Sequence, residues 1–304
     1  MNARVGAVGT VCNLSFRIYS IDESGAEPRN GIADALVLND IDAQSNNHER
    51  MLQVKRVSQI TLLHAPALDE IQGVTHAFST RRAEHTSLTL GPTSSDNPMI
   101  PINRSRFLAA AGVPGWPVLK LRQTHSSIVN DMIDTWSSNE PLEGDAAVTA
   151  VRGAVLSVQT ADCVPILIAD GNARVVAAIH AGWRGTAAHI AERTVEFIAK
   201  QYSIPPADLT AVIGPHNAVC CYEVGEEVVE AIQDPAAFIR RSDRAKPHFN
   251  QALANQNQLI AAGIPEARIV TSTLCTQCRA DLFFSFRREG KHAGRMLSII
   301  GLAP

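Results

Sequence analysis

The stretch 160–187 constrains the fold of this chain more than any other. Its sequence, TADCVPILIADGNARVVAAIHAGWRGTA, contains two runs rich in Ile and Val, 165–170 and 174–180, separated by Asp-Gly-Asn. A turn of this type between two β-forming runs predicts a β-hairpin. Cys163 and His180 then flank the paired strands, so the hairpin carries a thiol and an imidazole at its ends.

The turn after His180 combines glycines with an arginine, and we expect a helix to follow it with Thr186 as the N-cap. Backbone N–H groups at the beginning of a helix have no intrahelical partner, and the helix dipole adds positive potential there. The turn therefore predicts an anion pocket that includes Gly182 and Gly185, with Arg184 beside it.

Composition restricts the classes of function. The chain has 27 basic and 30 acidic residues and a formal net charge of -3, so we expect neither nucleic acid nor an anionic membrane as a partner. No apolar run approaches the roughly 18 residues of a membrane span. Residues 1–20 make a poor signal peptide, which leaves the cytoplasm as the expected location. Six cysteines in 304 residues do not indicate a disulfide framework.

The chain divides into two parts. Residues 1–58 are polar and lack a sustained period, so we expect a poorly ordered or loosely docked extension with a short helix over 46–57. Residues 59–304 are expected to form one main domain. Its strands and helices alternate without a regular βαβ order, which predicts an α+β fold of mixed sheets with helices packed outside. We further expect strands at 60–64, 74–79, 119–123, 154–159, 209–213 and 268–273, helices at 103–111, 226–233 and 249–262, and a terminal hairpin of 282–287 with 295–300.

His125, Cys163 and His180 each follow or end a predicted strand, so three distant segments can bring them to one point. A catalytic zinc site has three protein ligands and an open fourth position, and two histidine nitrogens with one cysteine sulfur can serve as those ligands. A second interpretation makes Cys163 a nucleophile with His125 or His180 as its base. In a third interpretation, Cys163 and one of the histidines are ordinary core residues held by packing and hydrogen bonds. The sequence does not separate the first two interpretations, because both need a thiolate beside an imidazole.

Other candidates carry a weaker signal. Arg81 and Arg184 adjoin turns at strand ends, and we expect the fold to bring these two positive charges to the site. Glu223 is a candidate general base or ribose contact. The motif Cys275-x-x-Cys278 suggests zinc or redox chemistry, but the chain has no second such pair, and Cys220 and Cys221 are adjacent. We therefore expect these four thiols to be buried or spare.

Six segments carry a resemblance to a known family. LRQTHSSIV, GDAAVTA, LSVQTADCVPILIAD, VAAIHAGWRGTA, IGPHNAVCCYEVG and CTQCRADLFFSFRREGKHAGR resemble, in order and spacing, the YfiH-like laccase-domain family. The resemblance covers residues 60 to 302. Members of that family are described as purine nucleoside phosphorylases with adenosine deaminase and methylthioadenosine phosphorylase activity, and formerly as polyphenol oxidases. The resemblance implies the α+β fold of YfiH-like cysteine hydrolases.

The resemblance also implies a site and a reaction. The family's metal ligands correspond to His125, Cys163 and His180, with zinc expected and copper as the alternative ion. A purine nucleoside and phosphate are the implied substrates, with Arg184 and Arg81 as our phosphate ligands. Two rivals are a cysteine hydrolase of the peptidoglycan-editing amidase type and a copper polyphenol oxidase. The ten histidines include no H-x-H pair, which disfavours a multicopper enzyme. The oligomeric state is left open.

Overall fold

The computed structural model describes residues 51–83, 86–91, 97–133 and 141–304 of the chain. Most of the predicted extension, 1–58, lies outside the described residues. The strands are β1 Gln53–Val57, β2 Ile60–His64, β3 Val74–Ala83, β4 Thr86–Ser87, β5 Val118–Lys120, β6 Val129–Asp131, β7 Ala146–Thr149, β8 Ala154–Thr160, β9 Val164–Asp170, β10 Val176–Ala181, β11 Leu209–Ile213, β12 Phe238–Ile239, β13 His248–Phe249, β14 Ile269–Thr271 and β15 Met296–Leu302. The α-helices are α1 Pro66–Asp69, α2 Met99–Ala110, α3 Trp183–Ala187, α4 Ile190–Tyr202, α5 Glu226–Ile232, α6 Gln251–Ala261 and α7 Phe286–Glu289. Short 3-10 helices span Pro206–Asp208, Pro235–Ala237, Glu266–Arg268 and Gly290–His292.

Two mixed sheets form the centre of the domain. The first has the strand order β1-β2-β3-β15-β8-β5, with β4 beside β3, and the second has the order β14-β11-β9-β10-β7-β6. Neighbouring strands are antiparallel except for β5 with β8, β6 with β7 and β11 with β14, which are parallel. This arrangement confirms the predicted α+β class with mixed sheets.

The sheets pack face to face because their strands alternate apolar side chains between two surfaces. Leu167 and Ala169 of β9 join Leu156 and Ile300 of the first sheet in one buried cluster. The intervening residues of β9 point the other way, toward α4 and α6, where Ile166 packs in a second cluster. On the far side of the first sheet, α2 covers a third cluster. The layers therefore run helix, sheet, sheet, helix, with helices outside as predicted.

The predicted hairpin of the 160–187 stretch is confirmed. Strands β9 and β10 pair antiparallel, with His180 opposite Pro165 and Ala181 opposite Val164. The end of this pair therefore brings His180 close to Cys163, which lies in the turn just before β9. Both strands are buried along their whole length and form the middle of the second sheet.

Several sequence-based boundaries were wrong. The helix expected after Thr186 begins at Ile190, because the short helix α3 precedes it in the chain. Thr186 lies within α3, where its N–H donates a hydrogen bond to the Gly182 carbonyl. The described part of the helix expected over 46–57 contains β1. The terminal hairpin is absent from the described residues, since α7 follows Ser285 and β15 pairs with β3 and β8.

Other elements were found with shifted ends. Helix α2 begins four residues before the predicted helix at 103–111, and β5 ends before the predicted strand 119–123 does. Strand β11 has the predicted bounds. Within the described ranges, no α-helix combines the length and the apolar composition needed to cross a bilayer.

Candidate metal and active site

His125, Cys163 and His180 meet at one edge of the two sheets. Their potential ligand atoms all lie within 4.8 Å of one another, and the His125 Nε2 atom is 3.9 Å from the Cys163 Sγ atom. The two imidazole rings pack edge to face with centroids 4.9 Å apart. His180 is buried, whereas His125 is exposed. The trio is therefore accessible from one side, as a reacting centre requires.

The geometry of the trio fits a tetrahedral metal. Zinc lies about 2.0 Å from a histidine nitrogen and about 2.3 Å from a thiolate, so a tetrahedral site separates nitrogen from sulfur by roughly 3.5 Å. The His125 to Cys163 distance of 3.9 Å is close to that value. Three protein ligands leave one coordination position for a substrate. The residues therefore suit a metal with an open position, and the donor set does not distinguish zinc from copper.

Asp145 organises both histidines. Its Oδ1 accepts hydrogen bonds from the His180 Nδ1 at 2.7 Å and from the His125 N–H at 3.1 Å. Its Oδ2 accepts from the N–H groups of Thr124 and Ser126 and from the Ser126 hydroxyl. The carboxyl is fully buried, and its pKa is lowered because these hydrogen bonds outweigh the cost of burial. A carboxylate on Nδ1 places the proton there and leaves Nε2 of His180 for a ligand.

Asp162 fixes the turn that presents Cys163. Its φ of 98° lies in a region that non-glycine residues rarely adopt. Its carboxylate holds this conformation by accepting hydrogen bonds from the Thr276 hydroxyl at 2.6 Å, the Ser285 hydroxyl at 3.0 Å and the Arg287 N–H at 2.6 Å. Asp162 therefore connects the cysteine turn to the C-terminal segment.

Charges within the site shift two pKa values in the absence of metal. Burial alone raises the pKa of the Cys163 thiol, but His180 and the hydrogen bond to His125 outweigh it and lower the pKa to about 6. Burial alone lowers the pKa of His180, but the Cys163 thiolate and Asp145 raise it to about 9. At neutral pH the pair is therefore a thiolate beside an imidazolium.

Gly182 allows the turn after β10 to pass close to the metal ligands. A Cβ atom at this position would lie 2.8 Å from His125 Cδ2 and 3.2 Å from Cys163 Sγ. Gly185 also lies in a crowded place, because a Cβ atom there would be 3.0 Å from the Ser126 carbonyl oxygen. Gly182 precedes the five-residue helix α3, and Gly185 lies within it. The two glycines therefore allow the backbone to pack closely around the trio.

A cavity of about 500 Å³ opens beside the trio. Two aromatic rings and two arginines lie in its wall, with Arg287 5.1 Å above the Tyr222 ring and Arg295 5.9 Å above the Phe286 ring. The lining residues are Leu121, Gln123, His125, Gln159, Thr160, Ala161, Asp162, Cys163, His180, Asn217, Tyr222, Phe286, Arg287 and Arg295. A pocket of this size suits a nucleoside-sized ligand.

Arg81 does not line the cavity. Its Nη1 donates to the Glu289 carboxylate at 2.9 Å and to the carbonyls of Ala280 and Phe283, and its guanidinium lies 4.5 Å from the Phe284 ring centroid. These contacts hold the C-terminal segment against the first sheet. The structure therefore gives Arg81 structural partners away from the trio.

Arg184 and Glu223 also lie outside the cavity wall. Arg184 is exposed and stacks 4.2 Å above the ring of Trp183. Glu223 pairs with Arg244 at 3.2 Å and lies 3.8 Å from His248. Neither side chain contacts the trio, although Arg184 is near enough to Tyr222 to affect its pKa.

Sequence reasoning missed Asp145, Arg287, Arg295 and Phe286 as residues of the site. Asp145 follows Gly144 and immediately precedes β7. A Gly-Asp turn before a strand could have marked it as a candidate site residue. Arg287 and Phe286 belong to α7, which was predicted as part of a strand. Tyr222, which precedes the candidate Glu223 in the sequence, reaches the cavity.

Comparisons with known proteins agree with this architecture. The family model described as multi-copper polyphenol oxidoreductase laccase matches residues 74–303. A purine nucleoside phosphorylase from Bacteroides thetaiotaomicron is 33% identical over 256 residues, which cover 78% of this chain and 94% of that protein. Adenosine deaminase RL5 from an unknown prokaryotic organism is 37% identical over 245 residues, covering 74% and 92%. The crystal structure of YlmD from Geobacillus stearothermophilus superposes with a TM-score of 0.76 at 29% identity and covers 83% of this chain and 99% of that one.

Proposed function

The chain belongs to the multi-copper polyphenol oxidoreductase laccase family, and from that membership we propose that it is a zinc-dependent purine nucleoside phosphorylase that also deaminates adenosine. The observation that carries the proposal is the convergence of His125, Cys163 and His180 in the wall of a nucleoside-sized cavity. The names of its relatives, which are purine nucleoside phosphorylases and an adenosine deaminase, support the same chemistry. Adenosine, inosine and methylthioadenosine are the proposed substrates.

The cavity wall offers separate groups for the base and the phosphate. The rings of Tyr222 and Phe286 can stack on the faces of a purine. Arg287 and Arg295 supply the positive charge for inorganic phosphate. We assign the phosphate to these two residues rather than to Arg81, which is held by Glu289. Arg184, which lies outside the cavity wall, would then contact the substrate only at the mouth of the cavity.

Phosphorolysis requires a phosphate oxygen to attack the anomeric carbon while the bond to the purine nitrogen breaks. The two arginines would hold the attacking anion in line with that carbon, and the aromatic rings would hold the base. Asn217 is fully buried in the cavity wall, and its Nδ2 has no hydrogen-bond partner among the described residues. Its amide would donate to an acceptor on the departing purine, which gains the bonding electrons and takes up a proton. A zinc ion held by the trio would supply Lewis-acid polarisation of a substrate atom.

Deamination would use the same cavity, with water adding to the purine C6 and ammonia leaving. Both reactions need the base to be held and its nitrogens to be polarised, which the stacked rings and the Asn217 amide would serve. Phosphate is required for one reaction and not for the other. Product analysis with and without phosphate therefore separates them.

The test is product analysis by chromatography, together with the metal content of the purified protein. We expect adenine from adenosine only when phosphate is present, inosine without phosphate, and about one zinc ion bound at the trio. His180→Ala should lose both activities by about 100-fold or more. The matched control is His189→Ala, because His189 is exposed and pairs only with Glu192 at 2.7 Å among the residues that the structure describes. A His180→Ala protein with full phosphorolysis would overturn the proposal.

One observation favours a second function, that of a cysteine hydrolase. The Asp145 carboxylate accepts a hydrogen bond from His180, and the positive charge of His180 lowers the pKa of the Cys163 thiol to about 6. A carboxylate, an imidazole and a thiolate in this sequence of contacts form the triad of a cysteine nucleophile. Such a hydrolase would keep its activity after chelation and lose it after alkylation of Cys163. The proposed zinc enzyme would lose activity after chelation and regain it when zinc is restored.

A further inference from the structure

A second group of metal-binding side chains lies behind the cavity wall. Cys220, Cys221, Cys275 and Cys278 place their sulfur atoms within 4.8 Å of one another. The Cys278 sulfur is 3.3 Å from that of Cys221 and 3.7 Å from that of Cys220. These distances far exceed the roughly 2.05 Å of a disulfide bond. The sequence led us to expect buried or spare thiols here, because two adjacent cysteines do not have ligand spacing.

From this geometry we propose that the four cysteines form a second, structural zinc site. Four thiolates about 2.3 Å from a zinc ion lie roughly 3.8 Å apart at the corners of a tetrahedron. The two measured sulfur separations lie at or somewhat below that value, and the remaining ones do not exceed 4.8 Å. Four sulfurs also complete the coordination sphere, which distinguishes this closed site from the three-ligand trio.

The backbone around Cys275 is arranged for a thiolate. Its sulfur lies beside that of Cys220 and near the backbone N–H groups of Cys278, Ala218 and Gln277, which can donate hydrogen bonds to a thiolate. Cys275 is 4% exposed, so a buried negative charge at this place needs a counter-charge. A bound divalent cation would supply it, and the N–H groups would orient the sulfur toward the ion.

The site would join two segments that are distant in sequence. Backbone hydrogen bonds already pair His216 with Leu274 and Thr276 beside the cluster. The first segment continues to Tyr222 in the cavity wall, and in the second the Thr276 hydroxyl binds Asp162. The proposed ion therefore stabilises the positions of one cavity ring and of the turn that carries Cys163. The ion itself would take no part in the chemical steps in the cavity.

Metal analysis of purified variants tests the proposal. Wild-type protein prepared without chelators should contain about two zinc ions per chain, and Cys163→Ser should retain about one. Adding Cys220→Ser to Cys163→Ser should remove the remaining zinc, whereas adding Cys12→Ser, the matched cysteine control outside the described residues, should not. A Cys163→Ser protein without zinc, or one whose zinc survives Cys220→Ser, would overturn the proposal.

A second measurement covers the case in which the double variant does not fold. Cobalt(II) bound by the Cys163→Ser protein should give the intense thiolate-to-metal absorption of a four-sulfur tetrahedral site. Thermal unfolding of the same protein should shift to lower temperature on chelation, because loss of a structural ion destabilises the folded state. A disulfide between Cys221 and Cys278 in freshly purified protein, detected by peptide mass spectrometry, would contradict the proposal, and so would cobalt binding without sulfur absorption.

Discussion

Replacement of Asp145 by asparagine tests the reasoning about the site most directly, because the change keeps the shape of the side chain and removes one acceptor. Asp145 accepts four hydrogen bonds from N–H groups, two on each oxygen, and a fifth from the Ser126 hydroxyl. An asparagine has one oxygen and one NH2 group. In either orientation, two N–H donors will therefore face the NH2 group.

The two orientations of the new amide have different consequences. If its oxygen faces His180, the N–H groups of Thr124 and Ser126 lose their acceptor in a partly buried place. A fully buried orphaned donor costs about 1–3 kcal/mol, and because these two are only partly buried we expect the free energy of unfolding to fall by about 2–4 kcal/mol in total. If the NH2 group faces His180, the Nδ1 atom must accept, and the imidazole proton moves to Nε2. That tautomer cannot bind a metal, and metal affinity falls by at least 10–100-fold.

Zinc competition against a chromophoric chelator and thermal unfolding of the metal-free protein measure the two effects separately. We expect either the zinc affinity to fall by at least 10–100-fold or the midpoint of unfolding to fall by roughly 5–15 °C. The matched control is Asp243→Asn, since the Asp243 side chain is 72% exposed and lies 4.0 Å from its only ion-pair partner among the described residues, Arg244. An Asp145→Asn protein with wild-type zinc affinity and wild-type stability would refute the role of Asp145.

The same geometry makes three further predictions. In metal-free protein, the rate of alkylation of Cys163 by iodoacetamide should be half-maximal near pH 6 and level from about 7 to 9, because the thiolate reacts and its pKa is about 6 rather than 9.0. In His180→Ala the rise should move toward pH 9, and peptide mass spectrometry follows the modification of Cys163 alone. Gly182→Ala should weaken zinc binding by about 10–100-fold, because its Cβ would displace His125 and Cys163, and the competition assay measures the loss. Arg287→Ala should raise the KM for phosphate by about 10-fold or more in steady-state kinetics, whereas the exposed Arg240, paired with Glu226, should tolerate Ala without change.

The sequence predicted the part of the site that depends on local structure. Two β-forming runs joined by Asp-Gly-Asn specify a hairpin, and in the register of β9 with β10 the side chains of both strands alternate between two buried clusters. This places His180 near Cys163 without any knowledge of the rest of the chain. The position of His125 depends on a short strand, β5, and only the end of that strand was needed to expect His125 near Cys163 and His180, where the structure has it.

The rest of the site depends on contacts between distant segments, which local patterns do not encode. Residues 282–287 have the composition of a strand, but the Ser285 hydroxyl caps α7 and the Asp162 carboxylate binds its N-terminal end. The hydrogen bond from the Arg287 N–H to the distant Asp162 adds to the local Ser285 cap, and together they override the local preference for a strand. Arg287 and Phe286 could therefore not be assigned to the cavity. The four-cysteine cluster was missed for the same reason, since 58 residues separate Cys220 from Cys278.

Two buried or half-buried carboxylates explain how this chain holds an unfavourable backbone at its site. His125 and Asp162 both have positive φ, at 59° and 98°, and each such residue costs of the order of 1–3 kcal/mol. Asp145 binds the N–H groups on both sides of His125, and Asp162 is held by Thr276, Ser285 and Arg287. Hydrogen bonds to a carboxylate contribute about 1.5–3 kcal/mol each, so three of them exceed the cost of either turn. Both turns are thus formed before a metal binds. Because the partners of Asp162 belong to the segment that also carries Cys275 and Cys278, the rigidity of the cysteine turn depends on how firmly that segment is held.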